Sequence, residues 1–409
     1  MTADDVVRAA AELNGVIRRT PCEPVHVLSE RIGVPVLLKQ ENRQRTGSFK
    51  VRGAYTRISR LSEQERRRGV VAASAGNHAQ GVAYAAGLVG TRARVFMPIG
   101  AALPKIDATR GYGGEVELFG NTVDEALGAA RECAERTGAV LVHPFDHPDV
   151  IAGQGSTGLE ILEQCPDVGT VLVALGGGGL LSGIAVAIRS LRPGVQIFGV
   201  QAEEAAAFPA SLAAGRPVRL ESMSTMADGI AVAGPGSLTL PIVAELVDDV
   251  LTVGEEDISR AVLLLLERAK TIAEPAGAAA VAALLDERNL DRIDLSRGPV
   301  VCVLSGGNVD PLLLQRIIRH GMTAAGRFLQ LRLRLPDRPG ALAALLGLLA
   351  EQGANVLEVE HVRDGSPVAV LEVEVGLRLE TLGHEHSAQV LAALRERYGL
   401  VEAGALHGF

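Results

Sequence analysis

Up to about residue 320 the chain alternates short apolar runs with longer stretches whose apolar positions recur at helical spacing. The runs 34–39, 69–74, 93–98, 169–175, 195–201 and 299–305 are short, β-branched and bounded by Gly or Pro. Those are the marks of buried strands. The stretches 77–89, 122–137, 179–191 and 256–270 are expected as helices. Nearly continuous apolar strands separated by helices predict an α/β fold with parallel sheets covered on both faces. Some 320 residues of that pattern predict two lobes with a cleft between them.

The period changes after the small-residue stretch GMTAAGR, 321–327. In FLQLRLRL, 328–335, Leu329, Leu331, Leu333 and Leu335 alternate with polar residues, as a half-exposed strand requires. PDRPG reads as a turn, and ALAALLGLLAEQG as an amphipathic helix ending at Gly353. NVLEVEHV (355–362) and PVAVLEVEV (367–375) alternate again, joined by the hairpin-like RDGS (363–366). A helix near 386–397 and a short run at 400–404 complete a β-α-β-β-α-β order, the ferredoxin-like split unit. Two domains are therefore expected, 1–321 and 327–409, with a linker at 322–326.

Composition narrows the function class. The chain is 47% hydrophobic and 22% charged, with a formal net charge of -8. That charge argues against a nucleic-acid or anionic-membrane surface. The longest basic run, Arg66 to Arg68, follows Ser62-Glu63-Gln64-Glu65 and reads as a solvated helix face. Cys22, Cys133, Cys165 and Cys302 are far apart and form no CxxC pair, so neither a zinc site nor a redox motif is expected. That usage fits a reducing cytoplasm. The N-terminus has no apolar core of a signal peptide, and no apolar run reaches the length of a membrane span.

Four segments carry candidate chemistry. In TGSFKVRGA, Lys50 follows a turn entering a helix, with Ser48 near the N-cap. The positive end of a helix and burial both favour a neutral amine, which covalent capture of a carbonyl needs. A lysine snorkelling from a helix start is the plain alternative. In ALGGGGLLSG, four glycines follow a buried strand and open a helix, so backbone amides can converge on one phosphate. The spacing fails both the dinucleotide fingerprint, because Leu181 stands where a third glycine belongs, and the P-loop. SAGNHAQG offers Ser74, Asn77, His78 and Gln80 as donors at a strand-to-helix turn, or is an ordinary helix cap. In VCVLSGGNVD, Ser305 ends a buried strand, where ligands bind in such folds, or caps the next helix.

Together these segments closely resemble the fold-type II pyridoxal-phosphate enzymes, which are tryptophan synthase β-like, and among them the threonine/serine dehydratases. The resemblance covers most of 1–321 and runs through LKQENRQRTGSFKVRGA, SAGNHAQGVA, MPIGAALPKIDATRGYGGEVELFG, GQGSTGLEI, LGGGGLLSG, MADGIAV and VCVLSGGNVD. The tail resembles an ACT domain, an amino-acid-sensing module, through PDRPGALAALLGLLAEQGANVLEVEH. The resemblance implies a small lobe at roughly 53–145 inserted in a large one.

It also implies roles. Lys50 would carry pyridoxal 5'-phosphate and then act as base, with Phe49 near the ring. Asn77 would hold the phenolic oxygen, Gly176, Gly177, Gly178, Gly179 and Leu180 the phosphate, and Ser305 the ring nitrogen. Ser74, Ala75, Gly76, Asn77 and His78 would receive the substrate carboxylate. A hydroxyl at the ring nitrogen makes a weaker electron sink than a carboxylate and favours β-elimination. The implied reaction converts threonine to 2-oxobutanoate and ammonia, or serine to pyruvate. Serine racemases of this family carry a second serine where this chain has Ala75, so little racemisation is expected. Their metal-binding acids are matched by Glu203 but then by Phe208 and Pro209, so no metal is expected. Gly340 and Asn355 would bind isoleucine or valine across a subunit contact, in a homodimer or homotetramer. A serine dehydratase or racemase-like enzyme, a non-catalytic amino-acid sensor and a nicotinamide enzyme are the competing readings.

Overall fold

The computed structural model describes residues 1–363, 371–399 and 401–403, the last three as backbone. It contains two compact units, Met1–Leu313 and Leu314–Phe409. The stretch expected as a linker, 322–326, is helical in its first part, because the helix Pro311–Ala324 runs into it.

The strands of the first unit are β1 (Cys22–Pro24), β2 (Val36–Lys39), β3 (Val70–Ala73), β4 (Ala93–Met97), β5 (Glu115–Leu118), β6 (Val140–Leu141), β7 (Thr170–Ala174), β8 (Gln196–Ala202), β9 (Asp249–Val253) and β10 (Val300–Val303). They form one sheet in the order β1-β2-β10-β7-β8-β9 and a second in the order β5-β4-β3-β6. Neighbours are parallel throughout, apart from the antiparallel edge strand β1. The expected α/β class with parallel sheets therefore holds. Strands β1, β5, β6 and β9 were not expected from the pattern. β1 and β6 are only three and two residues long and β5 is polar at one face, so pairing with a neighbour makes them strands; β9 is a short apolar run buried at Val250, Leu251 and Val253.

The core of the large sheet is built from β-branched residues. Val171, Val173, Val301 and Val303 pack against Leu181, Ile184 and Ile188 of the helix Gly179–Leu191. That helix lies against Pro148–Gln164, and glycines set how closely. A Cβ at Gly183 would stand 2.3 Å from the Ile151 carbonyl oxygen and 2.5 Å from the Gly155 nitrogen. Both obstacles are backbone, so neither can swing aside. Gly183→Ala is expected to cost about 1–3 kcal/mol by overpacking. It should also loosen the glycine turn that starts the same helix. Urea unfolding measures the loss, with Gly194→Ala, whose Cβ meets nothing within 4 Å, as the neutral comparison.

In the second unit the strands are β11 (Phe328–Pro336), β12 (Asn355–Val362), β13 (Glu372–Glu380) and β14 (Val401–Ala403), in the order β12-β13-β11-β14. All pairings are antiparallel. Leu329, Leu331, Leu333 and Leu335 face Leu345 and Leu349 of the helix Ala341–Glu351 and Val390 and Leu394 of His384–Tyr398. This is the ferredoxin-like arrangement that the alternation predicted. Of the strand expected at 367–375, residues 372–375 are strand and the strand continues further: β13 runs from Glu372 to Glu380 and pairs residue for residue with β11, from Pro336↔Glu372 to Phe328↔Glu380. The alternation continues past Val375 through Leu377 and Leu379, and those buried positions set the register. Most of RDGS, the start of the expected strand, Leu400 and Gly404 lie outside the described residues.

Candidate active site

Lys50 is the first residue of the helix Lys50–Ser59. The segment before it is laced to the end of β10: Asn42 N donates to Leu304 O at 2.9 Å and Phe49 N to Ser305 O at 3.1 Å. An isolated bridge pairs Ser48 with Gly306. Ser48 does not cap the helix as expected. Phe49 takes the N-cap position in αR geometry without a side-chain bond, and Ser48 Oγ is buried with no partner among the described residues. With no acid in its first turn, the helix presents its positive end to Lys50 uncompensated.

The chain has four lysines, at 39, 50, 105 and 270. Lys39 is paired with Glu160 at 2.5 Å and Lys105 with Asp228 at 2.6 Å. Lys270 donates to the Glu267 carbonyl from an exposed turn. Lys50 Nζ donates to a neutral acceptor, Pro144 O, at 3.0 Å, with the Phe49 ring centroid 5.1 Å away. The side chain is half-buried, with protein packed around the amine. Burial pushes that amine down to about 8, against an upward pull from Glu274. About half of it is neutral near pH 8, against well under a hundredth for an ordinary lysine.

The glycine turn lies after β7. Leu175 N donates to Val200 O and Ser182 N to Gly178 O. Between them, among the described residues, no amide donates to a backbone carbonyl, so Gly176, Gly177, Gly178, Gly179 and Leu180 present unspent N–H groups at a helix start. A Cβ at Gly177 would meet the Phe145 ring at 2.4 Å, and Gly178 has φ 96. Glycine is required at both positions.

The turn Ser74–His78 joins β3 to the helix Asn77–Val89. Ser74 Oγ accepts from Gly76 N at 3.0 Å and so tightens the turn. His78 is committed elsewhere: its buried ring bonds the Val142 carbonyl through Nε2 at 2.8 Å. Burial, helped by Lys50, pushes the imidazole down to about 3, so the ring stays neutral. Of His78, the backbone amide at the helix start is what remains for an anion. Asn77 is held from both ends. Its Oδ1 accepts from Asn308 Nδ2 at 2.7 Å, and its Nδ2 donates to Glu274. Asn308 is in turn anchored on Thr46 O at 2.8 Å. Ser305 Oγ, buried, makes a long contact of 3.5 Å to Ala276 O and keeps its hydrogen-bonding capacity largely free.

A cavity of about 350 Å³ opens beside Ala75 and is lined also by Lys105, Asn121, Asp228, Glu274 and Asp310. A second hollow, of about 280 Å³, lies along Glu23–Glu30 and Arg268 and shares no lining with it. Glu274, Lys105 and Asp228 escaped the reading of the sequence. Lys105 and Asp228 lie inside quoted motifs, PKIDATRGYGG and MADGIAV, and the carboxylate partner of a lone lysine is a signal only once the fold joins them.

At the position of the racemase metal acids, Glu203 pairs with Arg288 at 3.2 Å and Phe208 is buried. No group of three or more His, Cys, Asp or Glu is placed to hold a metal among the described residues. In the second unit, Gly340 is the exposed N-cap of Ala341–Glu351 with φ 88, and Asn355 opens β12 with Nδ2 donating to Glu380 at 3.2 Å.

The sequence matches the family described as pyridoxal-phosphate dependent enzymes over residues 13–306 and the ACT domain over 329–397. An L-threonine ammonia-lyase of Thermotoga maritima is 50% identical over 390 residues, 95% of this chain and 96% of that protein. The structure of the processed form of threonine deaminase isoform 2 from Solanum lycopersicum superposes with a TM-score of 0.72 at 38% identity, covering 77% of this chain and 88% of that one. A serine racemase from maize superposes with a TM-score of 0.74 at 33% identity, covering 79% and 98%.

Proposed function

The chain belongs to the family of pyridoxal-phosphate dependent enzymes, and from that premise we infer that it is a threonine ammonia-lyase, a carbon–nitrogen lyase that converts L-threonine to 2-oxobutanoate and ammonia. The residues present fit the cofactor. Five consecutive amides at a helix start suit its phosphate, and a lysine amine brought down to about 8 suits its aldehyde. The observation that carries the reading is that lysine: of the three packed lysines, Lys39 and Lys105 are paired with carboxylates, whereas the hydrogen bond of Lys50 goes to a neutral carbonyl.

When bound, pyridoxal phosphate supplies an aldehyde for amino groups and an electron-withdrawing ring that acidifies the Cα–H bond. The chain's own residues do the rest. Gly176 to Leu180 would hold the phosphate through backbone N–H. Asn77 Nδ2 would serve the phenolic oxygen and Ser305 Oγ the ring nitrogen, with Phe49 beside the ring. The turn Ser74–His78 takes the substrate carboxylate at the start of its helix, through backbone N–H in the case of His78. Lys50 Nζ would tether the cofactor and, once released, accept the α-proton. The Cβ–O bond would then break and the hydroxyl leave as water, taking up one proton to balance the one that Lys50 accepts from Cα. The resulting enamine tautomerises and hydrolyses to the 2-oxo acid and ammonia. Ala75 lines the cavity with a methyl group, which cannot exchange a proton on the second face of Cα.

The second unit supports regulation by an amino acid. Gly340 and Asn355, both exposed, would take isoleucine or valine, and β12 is an edge strand with Leu357 and Val359 exposed beside them, suited to pairing in a homodimer or homotetramer. Four free cysteines suit a reducing cytoplasm. One assay tests these points together: 2-oxo acid release from L-threonine and L-serine, with and without isoleucine or valine. Turnover of threonine is expected, with D-serine formed from L-serine far more slowly than pyruvate. A branched-chain amino acid should raise the threonine concentration at half-maximal rate. Threonine left unconverted by the loaded enzyme would remove the activity, and kinetics unmoved by saturating effector would remove the regulation.

A further inference from the structure

Glu274 was not found from the sequence and has no role in the mechanism above, yet it is the most conspicuous acid in the site. It stands at the N-cap position of the helix Pro275–Leu285, is 2% exposed, and lines the cavity beside Ala75. Its Oε1 accepts from Asn77 Nδ2, and its Oε2 is buried with no partner among the described residues. The place is tight. A Cβ on Gly306, next to Ser305, would stand 2.1 Å from Glu274 Oε1 and 3.1 Å from Asn77 Nδ2. Glu274 N donates to Gly306 O at 3.1 Å, which fixes the backbone from which the carboxylate projects.

A buried carboxylate with one oxygen unspent is costly unless a ligand or a proton answers it. The geometry also settles which way the Asn77 amide points. Asn308 Nδ2 can only donate, so it faces Asn77 Oδ1, and the ionised Glu274 can only accept, so it faces Asn77 Nδ2. The second N–H of Asn77 is left for the ring.

We propose that Glu274 is a positioning residue of the cofactor site, which locks Asn77 with an N–H toward the phenolic oxygen and places a negative charge beside that edge of the ring. This rests on the reading of Asn77 as the partner of the phenolic oxygen. The charged groups facing Glu274 are Lys105 of the helix Leu103–Gly111, Asp228 of the short turn Asp228–Ile230, and Lys50; Asp310 acts through Lys105. Burial pushes the Glu274 carboxyl up to about 7, while Lys105, Asn77 and Lys50 pull it down and Asp228 opposes them. The carboxylate is therefore ionised above neutral pH, where its charge favours a proton on the tether nitrogen or phenolic oxygen.

The test reads cofactor binding and its visible band, not turnover. Glu274→Gln keeps the shape and an acceptor for Asn77 but removes the charge. It is expected to bind pyridoxal phosphate within about threefold of wild type, while the pH midpoint of the visible band falls by about one unit, the size of a lost charge contact at close range. Glu274→Ala removes the acceptor and should weaken cofactor binding about tenfold, as loss of one oriented hydrogen bond would. A Glu274→Gln band that titrates at the wild-type midpoint overturns the proposal, and this isosteric variant decides the matter even if Glu274→Ala does not fold. Asn77→Ala separates the two readings. Undiminished cofactor affinity there withdraws the role of Asn77 and this inference with it. Weakened affinity there, with an unmoved Glu274→Gln band, withdraws this inference alone.

Discussion

Lys50→Ala is expected to lower kcat for threonine by about a thousandfold or more, toward the upper end of what one positioned proton-transfer group contributes. The cofactor should still enter, because Gly176 to Leu180 keep their unspent amides, but it should not become attached. Borohydride reduction of the loaded wild-type enzyme followed by peptide mapping is expected to mark the peptide containing Lys50, and to mark nothing in the variant. The other three lysines make this a sharp test. Lys39 is tied to Glu160 and to the Thr20 carbonyl, and Lys105 is held charged by Asp228 and Glu274 despite its burial. Lys270 lies exposed in a left-handed turn, φ 54. Neither ion-paired amine is free to attack an aldehyde. A label on Lys39 or Lys105 would mean that the active-site assignment is wrong.

Arg52→Met is expected to destabilise the protein by about 3–5 kcal/mol, the cost of leaving a buried charge without its partner. Arg52 is fully buried two residues beyond Lys50. It bonds Glu41 at 2.7 and 2.8 Å, and Glu160 at 2.7 and 3.0 Å. Lys39 completes the cluster through Glu160. Burial pushes the Glu41 carboxyl up, but the charge and hydrogen bonds of Arg52, then Lys39 and Thr20, outweigh it and hold the group below the ordinary range. A lowered carboxylate contributes stability that is present above its unfolded value, about 4.3, and is lost as the pH falls through the folded one. In the variant Glu41 loses its main partner and burial raises it instead. The deficit should thus be largest near neutrality and shrink toward pH 4, about where glutamate takes up its proton. Urea unfolding at two pH values measures it. A loss under about 0.5 kcal/mol at neutral pH, the scale of an ordinary surface change, would show that the cluster does not hold the Lys50 helix.

The elements most legible in the sequence were those with a strong local period. The helices 77–89 and 179–191 are observed as Asn77–Val89 and Gly179–Leu191. The change to strict alternation at Leu329 marked a different kind of sheet, because the leucines of β11 are buried against helices of the same unit while the positions between them are partly or fully exposed. The helix Pro148–Gln164 was not expected. Three glycines break its apolar pattern, and each serves a close approach that exists only after packing, as Gly153 does against the Arg52 carbonyl, 2.6 Å from where its Cβ would be. Of the proposed site, the lysine, the glycine turn, Asn77 and Ser305 were all legible as points in the chain. The turn of the His78 ring into Val142 and the absence of a cap from Ser48 were not, because both depend on what a neighbouring strand or loop offers.

By itself, the sequence determined the layer types, the elements with a strong local period, and the places where backbone amides and an amine are presented. Those follow from periodicity and from which residues permit a turn, and both are local. Tertiary structure alone decided the charge states and pairings. Asn77 and Glu274 are 197 residues apart, Lys105 and Asp228 123, and Arg52 and Glu160 108. The shift of the Lys50 amine arises from burial by segments distant in the chain, and a pKa is set by surroundings, not by neighbours in sequence.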